Sequence, residues 1–465
     1  MVARLPLPLL LLAALPAMAL AKQGGAPAPL GPFASIGRVD GAAVLTVDSS
    51  GGADFLDLPP AVAAAGDGDL LLVQPSPRPY SGFSLDGKGL TILAVGSGTH
   101  LVVGQVRVSN STPAQFFGLR GFEVSLAGSS GGVVEFSQCA GTAWIEDCSI
   151  EALGVPPIPE TPPAGSNNGV LATDCDNVVL VRTTVSGQKG SAILFGEPRA
   201  ALETLRSTVS VYESVLLGPD GADAELFFNG LSWNCSLGTL GSVLWSSSQE
   251  GGRGARVEDS TFYAQGATFV GGEGGEGSCC VDGGDFACGI AARNGGPGLE
   301  VLGTSDVQLL DVTQLGGAGA PFLPCGLLGP PGANCSAGDD GAPSVGAVTV
   351  LAGTARSLQL PSTVLIGGAE VLQVQGVLGD DAYAVFSDDS TPFFWPQLQS
   401  MQVTRLPVSF VSLGDVPANG SLQTVFSLPP MLFGSGAQRR VVQGLFFGAD
   451  GGTTLGSSSL VHLLP

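Results

Sequence analysis

Histidine is nearly absent from this chain. In 465 residues there are only His100 and His462, so a Ser-His-Asp or Cys-His site has little to build on. Cations are scarce as well: 18 Lys and Arg stand against 40 Asp and Glu, a net charge of −22. Such a surface cannot supply counterion release to nucleic acid or attraction to an anionic membrane, and neither is expected as a partner. It would also repel a polyanion such as pectate unless Ca2+ or a local basic groove intervened, whereas a neutral glycan meets no such barrier. The acidity equally suits solubility in an extracellular medium. No run after residue 20 is long and apolar enough to cross a bilayer, so no membrane span is expected in the mature chain. The mean hydropathy of +0.36 reflects Ala, Val and Leu with almost no Lys. A phosphate loop is missing too, since GGEGGEG at 271–277 has no Lys and neither the strand nor the helix that a P-loop requires.

What the chain has in excess is turn residues, 71 Gly and 33 Pro, which fit short strands joined by tight bends. Residues 1–21 read as a secretory signal, with Arg4 at the positive end, an apolar stretch over 5–20, and Ala19-Leu20-Ala21 as the cleavage site. A secreted or cell-surface protein is expected, in a compartment that permits disulfides. Nine cysteines, at 139, 148, 175, 235, 279, 280, 288, 325 and 335, leave at least one thiol unpaired or intermolecular. Cys325 and Cys335 flank a Pro/Gly loop, and Cys280 (or Cys279) with Cys288 flanks VDGGDFA, so both sets are expected to be local loop staples. Metal binding is the alternative for SCCVDGGDFAC, but the spacing is not a zinc pattern and no His is near.

Residues 44–94 carry the clearest architectural signal. A strand is expected at Val44–Val47 and a single short helix over 57–65, N-capped by Asp57, with Pro59 and Pro60 in its first turn and Gly66 as its stop. Strands follow at Leu70–Val73, 83–85 and Leu90–Ala94. One helix ahead of many short strands suits a coil stack whose open end is sealed against edge pairing. The order D-F-x-x-L-x-x-A-V, G-D-x-L-L-V, Y-S-G-F-S-L and K-G-L-T-I resembles the opening segment of pectin-lyase-like β-helix proteins. That resemblance implies an all-β, right-handed parallel β-helix with an N-terminal capping helix. It brings across none of the longer motifs of pectin methylesterases, polygalacturonases or pectate lyases.

A repeat supports the stack. Laying Ile145, Val181, Val211, Val257 and Leu309 over one another gives IEDCSI, VRTTVS, VYESVL, VEDSTF and LLDVTQ. Small polar or β-branched residues recur three positions after the anchor, as an inward corner of a coil would accept. Cys139 and Cys175 fall six residues before their anchors and are expected to be neighbours on successive coils. A stack of buried thiols suits them, a cross-coil disulfide being the geometrically demanding alternative. The next column, Glu146, Arg182, Tyr212, Glu258 and Leu310, should point outward by strand alternation. Glu146 and Arg182 are then candidates for a cross-coil ion pair, with Tyr212 beside them as a sugar-stacking face; a solvated ladder is the plainer expectation. The column Asp147, Thr183, Glu213, Asp259 and Asp311 is acid-rich, and short polar side chains at a turn cap amides.

For catalysis, glycosidases need two carboxylates on one sugar bond. Asp147, Asp174 and Asp176, with Arg182, are the candidates, because pectin-lyase-like hydrolases and esterases use paired Asp with a basic residue on one coil face. Asp-rich Gly turns at 218–225, CVDGGDFA and AGDDGA are candidates for Ca2+, although none has an EF-hand or calcium-roll spacing and Asx turns explain them as well. No other cofactor is expected. From about 346 the pattern changes to mixed segments at 348–351, 356–360, 370–374, 383–386, 422–427 and 440–447, which read as a small antiparallel β-sandwich-like module. Its closing run resembles C-terminal modules of secreted proteins from planctomycete-type bacteria, and it suits either surface attachment or a cap on the open end of the stack. The expected organisation is signal 1–21, linker 22–43, β-helix 44–320, Cys/Pro/Gly linker 321–345 and β module 346–465. The expected function is a non-enzymatic extracellular or cell-surface protein that contacts polysaccharide or another surface component. The alternative is a polysaccharide lyase or glycoside hydrolase with its site on the coil face.

Overall fold

The structure, a computed structural model, describes residues 42–464 except 128–130, 154–166, 190–197, 223–247, 277, 283–284, 291, 322–336, 366–368, 396–397, 399, 406–407, 428–436 and 450. The expected signal peptide and most of the linker after it therefore lie outside the described residues. Among the described residues short strands dominate, and one helix interrupts them near the start. A ten-stranded parallel sheet runs the length of the stack, from Val44–Val47 through Leu70–Val73, Thr142–Glu146, Asn177–Val181, Thr208–Tyr212 and Thr261–Gln265 to Thr349–Leu351. A second, fourteen-stranded sheet folds into two further faces. Its long strand Leu101–Ser109 belongs to both, pairing residues 101–103 with 123–125 and 106–109 with 134–137. The fold is an all-β, right-handed parallel β-helix, the hand that parallel crossovers take.

Every coil turns on the same local device. Among the described residues nine non-glycine residues have positive φ, and all of them lie in two corner columns. One holds Asn110, Gln138, Asp174, Arg206 and Asp259; the other holds Asp147, Arg182, Glu213 and Asp311. Each column is hydrogen-bonded along the stack: the Asp147 N–H donates to Val181 O at 3.0 Å and that of Arg182 to Tyr212 O at 2.9 Å, as the Asp174 N–H does to Leu205 O at 3.0 Å. A left-handed non-glycine residue costs about 1–2 kcal/mol, so the ladder must hold it there. A small inward residue follows each corner. Ser111, Cys139, Cys175, Ser207 and Ser260 make up one such column; Cys148, Thr183 and Ser214 form the other. The Ser207 hydroxyl accepts the Cys175 N–H at 3.1 Å and the Ser260 hydroxyl the Ser207 N–H at 3.0 Å. Cys139 and Cys175 are indeed neighbours, with the Asp176 N–H on Cys139 O at 2.8 Å. Both are buried free thiols, as is Cys148.

The shared device explains an error of phase in the repeat. Ile145 pairs with Leu180, not Val181, and Leu180 pairs with Val211. Val211 then pairs with Ala264, which pairs with Leu309. Val257 belongs to the opposite corner, on a strand that pairs with Leu202–Leu205. At both corners a left-handed polar residue is followed by a small one, usually with an apolar residue two positions before, as at Ile145–Cys148 and Val257–Ser260, so sequence alignment does not tell one from the other.

The helix Leu58–Ala64 closes the first coil. The Asp57 carboxylate accepts the N–H groups of Leu58 and Ser81, both at 2.8 Å, and Leu58, Ala61 and Val62 are buried on the coil interior. Lys88 Nζ donates to the carbonyls of Val62 at 3.0 Å and Ala65 at 2.6 Å, a cation at the helix C-terminus.

Gly-rich segments between coils pack into a bundle. Residues 218–222, 248–254, 271–276, 292–298, 316–321 and 337–343 donate N–H bonds with a period of three: Gly218 and Gly221, Gly271 and Gly274, Gly251 and Gly254, Gly295 and Gly298. Three residues per turn without internal bonds is the polyproline II pattern. A zigzag of backbone bonds crosses the bundle from Gly272 to Gly252, Gly296 to Gly272, Gly317 to Gly296 and Gly341 to Gly317, at 2.8–2.9 Å. A Cβ on Gly296 would lie 2.0 Å from Gly252 O, and one on Gly317 1.8 Å from Gly272 O. Only glycine lets the segments approach this closely.

The C-terminal residues form a separate, mainly antiparallel β module around Leu358, Val374, Phe386, Val442, Phe446 and Val461. It does not stand at the end of the stack. It lies on the flank, where Met401, Val403, Val441 and Leu460 pack against Phe116, Trp144, Val179, Val181, Tyr212 and Tyr263 of the ten-stranded sheet.

Candidate functional site

Four charged side chains from three successive coils meet under the module. Arg120 ends its strand, Glu146 and Asp147 lie one coil on, and Arg182 one coil further. Arg182 Nε donates to Asp147 Oδ1 at 2.7 Å, and its Nη2 bonds Glu146. Arg120 Nε reaches Asp147 Oδ2 at 2.9 Å, while its other nitrogens bond the module carbonyls Leu360 O, at 2.7 Å, and Leu460 O. Glu146 is fully buried. Its Oε2 accepts Trp144 Nε1 at 2.9 Å and the Leu460 N–H at 2.7 Å, and its Oε1 accepts the Ser459 hydroxyl. Burial pushes the Asp147 carboxyl up, but the hydrogen bonds and charges of Arg182 and Arg120 outweigh it and hold the group below the usual range. For Arg182, burial favours the neutral form, and the Glu146 and Asp147 charges overcome it. Glu213, the next corner residue, is raised by burial despite hydrogen bonds from Ser457 and Ser357 and the nearby Arg182. Among the described residues, Arg182 Nη1 and Glu213 Oε1 are buried without a hydrogen-bond partner.

The expected cross-coil ion pair of Glu146 and Arg182 is therefore present, but as part of a largely buried joint and not a solvated ladder. Tyr212 is fully buried, its hydroxyl on Met401 O at 3.2 Å. Tyr212 is covered because the module lies over it, which strand alternation could not show; Glu258, expected in the same column, instead sits at the opposite corner and is partly exposed.

Of the catalytic candidates, the structure brings together Asp147 and Arg182 and sets the other two apart. Asp174 turns the opposite corner, where Arg206 Nε donates to it at 2.6 Å on the surface. Asp176 is exposed near that same corner. The strand Asn177–Val181 separates both from Arg182. The residues that sequence reasoning missed are Arg120, Ser459 and the Leu460 N–H, from one coil earlier and from the last strand of the chain. No local signal ties them to Glu146.

Cys325 and Cys335 lie outside the described residues. Cys279 and Cys280 are on strand Ser278–Asp282, which pairs antiparallel with Asp285–Ile290; there Cys279 is opposite Cys288 and Cys280 opposite Ala287. Two of the three Ca2+ candidates fall in the glycine bundle, where Asp220 Oδ1 accepts the Glu273 N–H at 3.1 Å and Asp340 Oδ1 the Gly319 N–H at 3.0 Å. Among the described residues no three His, Cys, Asp or Glu side chains gather as a metal site. A cleft of about 260 Å³ beside the capping helix is lined by Pro59, Val62, Phe83, Leu85, Asp86 and Lys88, and none of the candidates reaches it.

No family model matches the chain, and no curated protein does. Among solved structures, an AA10 lytic polysaccharide monooxygenase (LPMO) from Streptomyces lividans is similar over 23% of this chain and 60% of that one, at 16% identity and a TM-score of 0.14. A likeness at that level carries no argument for this chain's fold or activity.

Proposed function

We propose that this is an exported extracellular or cell-surface β-helix protein of the pectin-lyase-like type, non-enzymatic, which contacts carbohydrate along its exposed coil faces. The observation that carries the reading is the fate of the ionisable candidates: Glu146, Asp147 and Arg182 are spent on holding the module to the coil stack, and Asp174 is paired with Arg206. Residues engaged in this way are scaffolding. Export is supported by Arg4, the apolar stretch over 5–20 and Ala19-Leu20-Ala21. A planctomycete-type module at the C-terminus fits the same setting, with surface attachment as its role.

The contact surface favoured here is the outer row of the second sheet, where Arg107, Glu135, Leu171, Glu203, Arg256 and Glu300 follow one another along the stack. Arg107 pairs with Glu135 at 3.3 Å, and Arg256 with Glu203 at 3.3 Å. This row of mixed, partly exposed charge offers planar donors and acceptors to the hydroxyls of a neutral glycan. A glycan array followed by product analysis tests the reading. Binding without turnover supports it; released oligosaccharide overturns it in favour of a lyase or hydrolase.

A further inference from the structure

The glycine bundle ends on an unfinished edge. Each crossing bond runs from a glycine N–H to the carbonyl of the preceding segment: Gly296 to Gly272, Gly317 to Gly296, Gly341 to Gly317. Gly341 O is next in that series, and among the described residues no backbone N–H donates to it. The companion series runs within one layer, where Gly218 N–H donates to Val270 O and Gly271 N–H to Leu315 O. Gly316 is next there, and its N–H finds no backbone carbonyl among the described residues. One unpaired acceptor and one unpaired donor thus stand in the relation that each earlier segment satisfied with its successor. The neighbouring strand edge is open too: Thr349–Leu351 ends the ten-stranded sheet, and Val350, which continues the interior column of Leu309, is 74% exposed.

We infer that this edge binds an extended, glycine-rich polypeptide carrying basic residues, which adds one more polyproline II segment to the bundle. Main-chain bonds supply the affinity, as when a strand is added to a sheet edge. The requirement for glycine follows from the close approach already seen: a Cβ on Gly316 would sit 1.8 Å from Gly341 O, and one on Gly338 1.9 Å from Arg293 O. At every third position the side chain points out instead, as Glu273 does in the chain's own Gly-Gly-Glu repeat at 271–276. The edge itself carries the exposed acids Asp339 and Asp340 on a chain of net charge −22, so basic residues suit those outward positions. A second copy of this chain would bring like charge to the same edge.

The probe is a fluorescent Gly-Gly-Lys repeat peptide titrated into the full chain, with an Ala-Ala-Lys repeat as its control. Saturable binding of the glycine peptide alone is expected, with new hydrogen-exchange protection at Gly316. Asp339→Lys, which changes only an exposed side chain and leaves the backbone contacts of the bundle in place, should weaken that binding by roughly tenfold. Equal binding of both peptides would reduce the effect to charge and overturn the proposal. So would no binding, a Gly316 amide already protected in the free protein, or sedimentation showing that a second copy occupies the edge.

Discussion

The carboxylate of Glu146 accepts the backbone N–H of Leu460 at 2.7 Å, across 314 residues of sequence. A residue in the middle of the coil stack thereby caps the last strand of the protein. Around that bond the two arginines, Asp147 and Ser459 leave little of the joint's polar surface unpaired, which is what a buried charge needs to be tolerated.

Breaking this joint should be costly. Arg182→Ala leaves Glu146 buried with one cation fewer, and the expected loss is about 3–5 kcal/mol, the usual cost of removing one partner of a buried pair. The lowered urea midpoint measures it. Arg206→Ala, which removes the exposed partner of Asp174, should leave that midpoint almost unchanged. Equal shifts from the two variants would contradict the assignment of the joint.

Acid should act on the joint in two opposed ways. Asp147 has a lowered folded value, so its stabilisation is present above the unfolded value of about 3.9 and fades as pH falls through the folded one. Glu213 has a raised folded value, so the folded state binds its proton more tightly and stability falls as pH rises between the unfolded and folded values. Glu213→Gln should therefore remove that second slope and cost little at neutral pH. Thermal melts of both proteins across the acid range would show it, and an unchanged slope would refute it.

The bundle glycines and the turn glycines should respond differently to a single methyl group. Gly317→Ala places Cβ 1.8 Å from a backbone oxygen that cannot move alone, so loss of folded protein on expression is expected. Gly51→Ala meets nothing within 4 Å and pays only for its φ of +96°, about 1–2 kcal/mol. Yields and melting points of the two variants test the contrast.

The three core thiols should stay silent to a thiol reagent until the β-helix unfolds. Cys148 is buried, and burial pushes its thiol up to about 12. Labelling of Cys139, Cys148 and Cys175 is expected to track denaturant unfolding. Labelling in native buffer would show that the coils open locally.

What the sequence determined by itself was the kind of object: a helix-capped coil stack followed by a β module. Asp57, Pro59 and Pro60 set the helix locally, and the polar residue followed by a small one at each bend set the corners. Those signals are read within a few residues, where backbone geometry and side-chain chemistry act directly. Phase was already beyond local reading, because Val257 and Val211 are each followed by an acid two residues on and a serine three residues on, yet sit at different corners. The glycine bundle escaped for a related reason. Gly271 and Gly296 look like any loop glycines until the coil places one segment against the next. Only the tertiary structure decided the fate of Glu146, Arg182 and Tyr212. Strand alternation says that a side chain leaves the coil; it does not say whether it meets water or another part of the chain. Here it meets the module, and burial turns an outward charged row into the joint that holds the protein together.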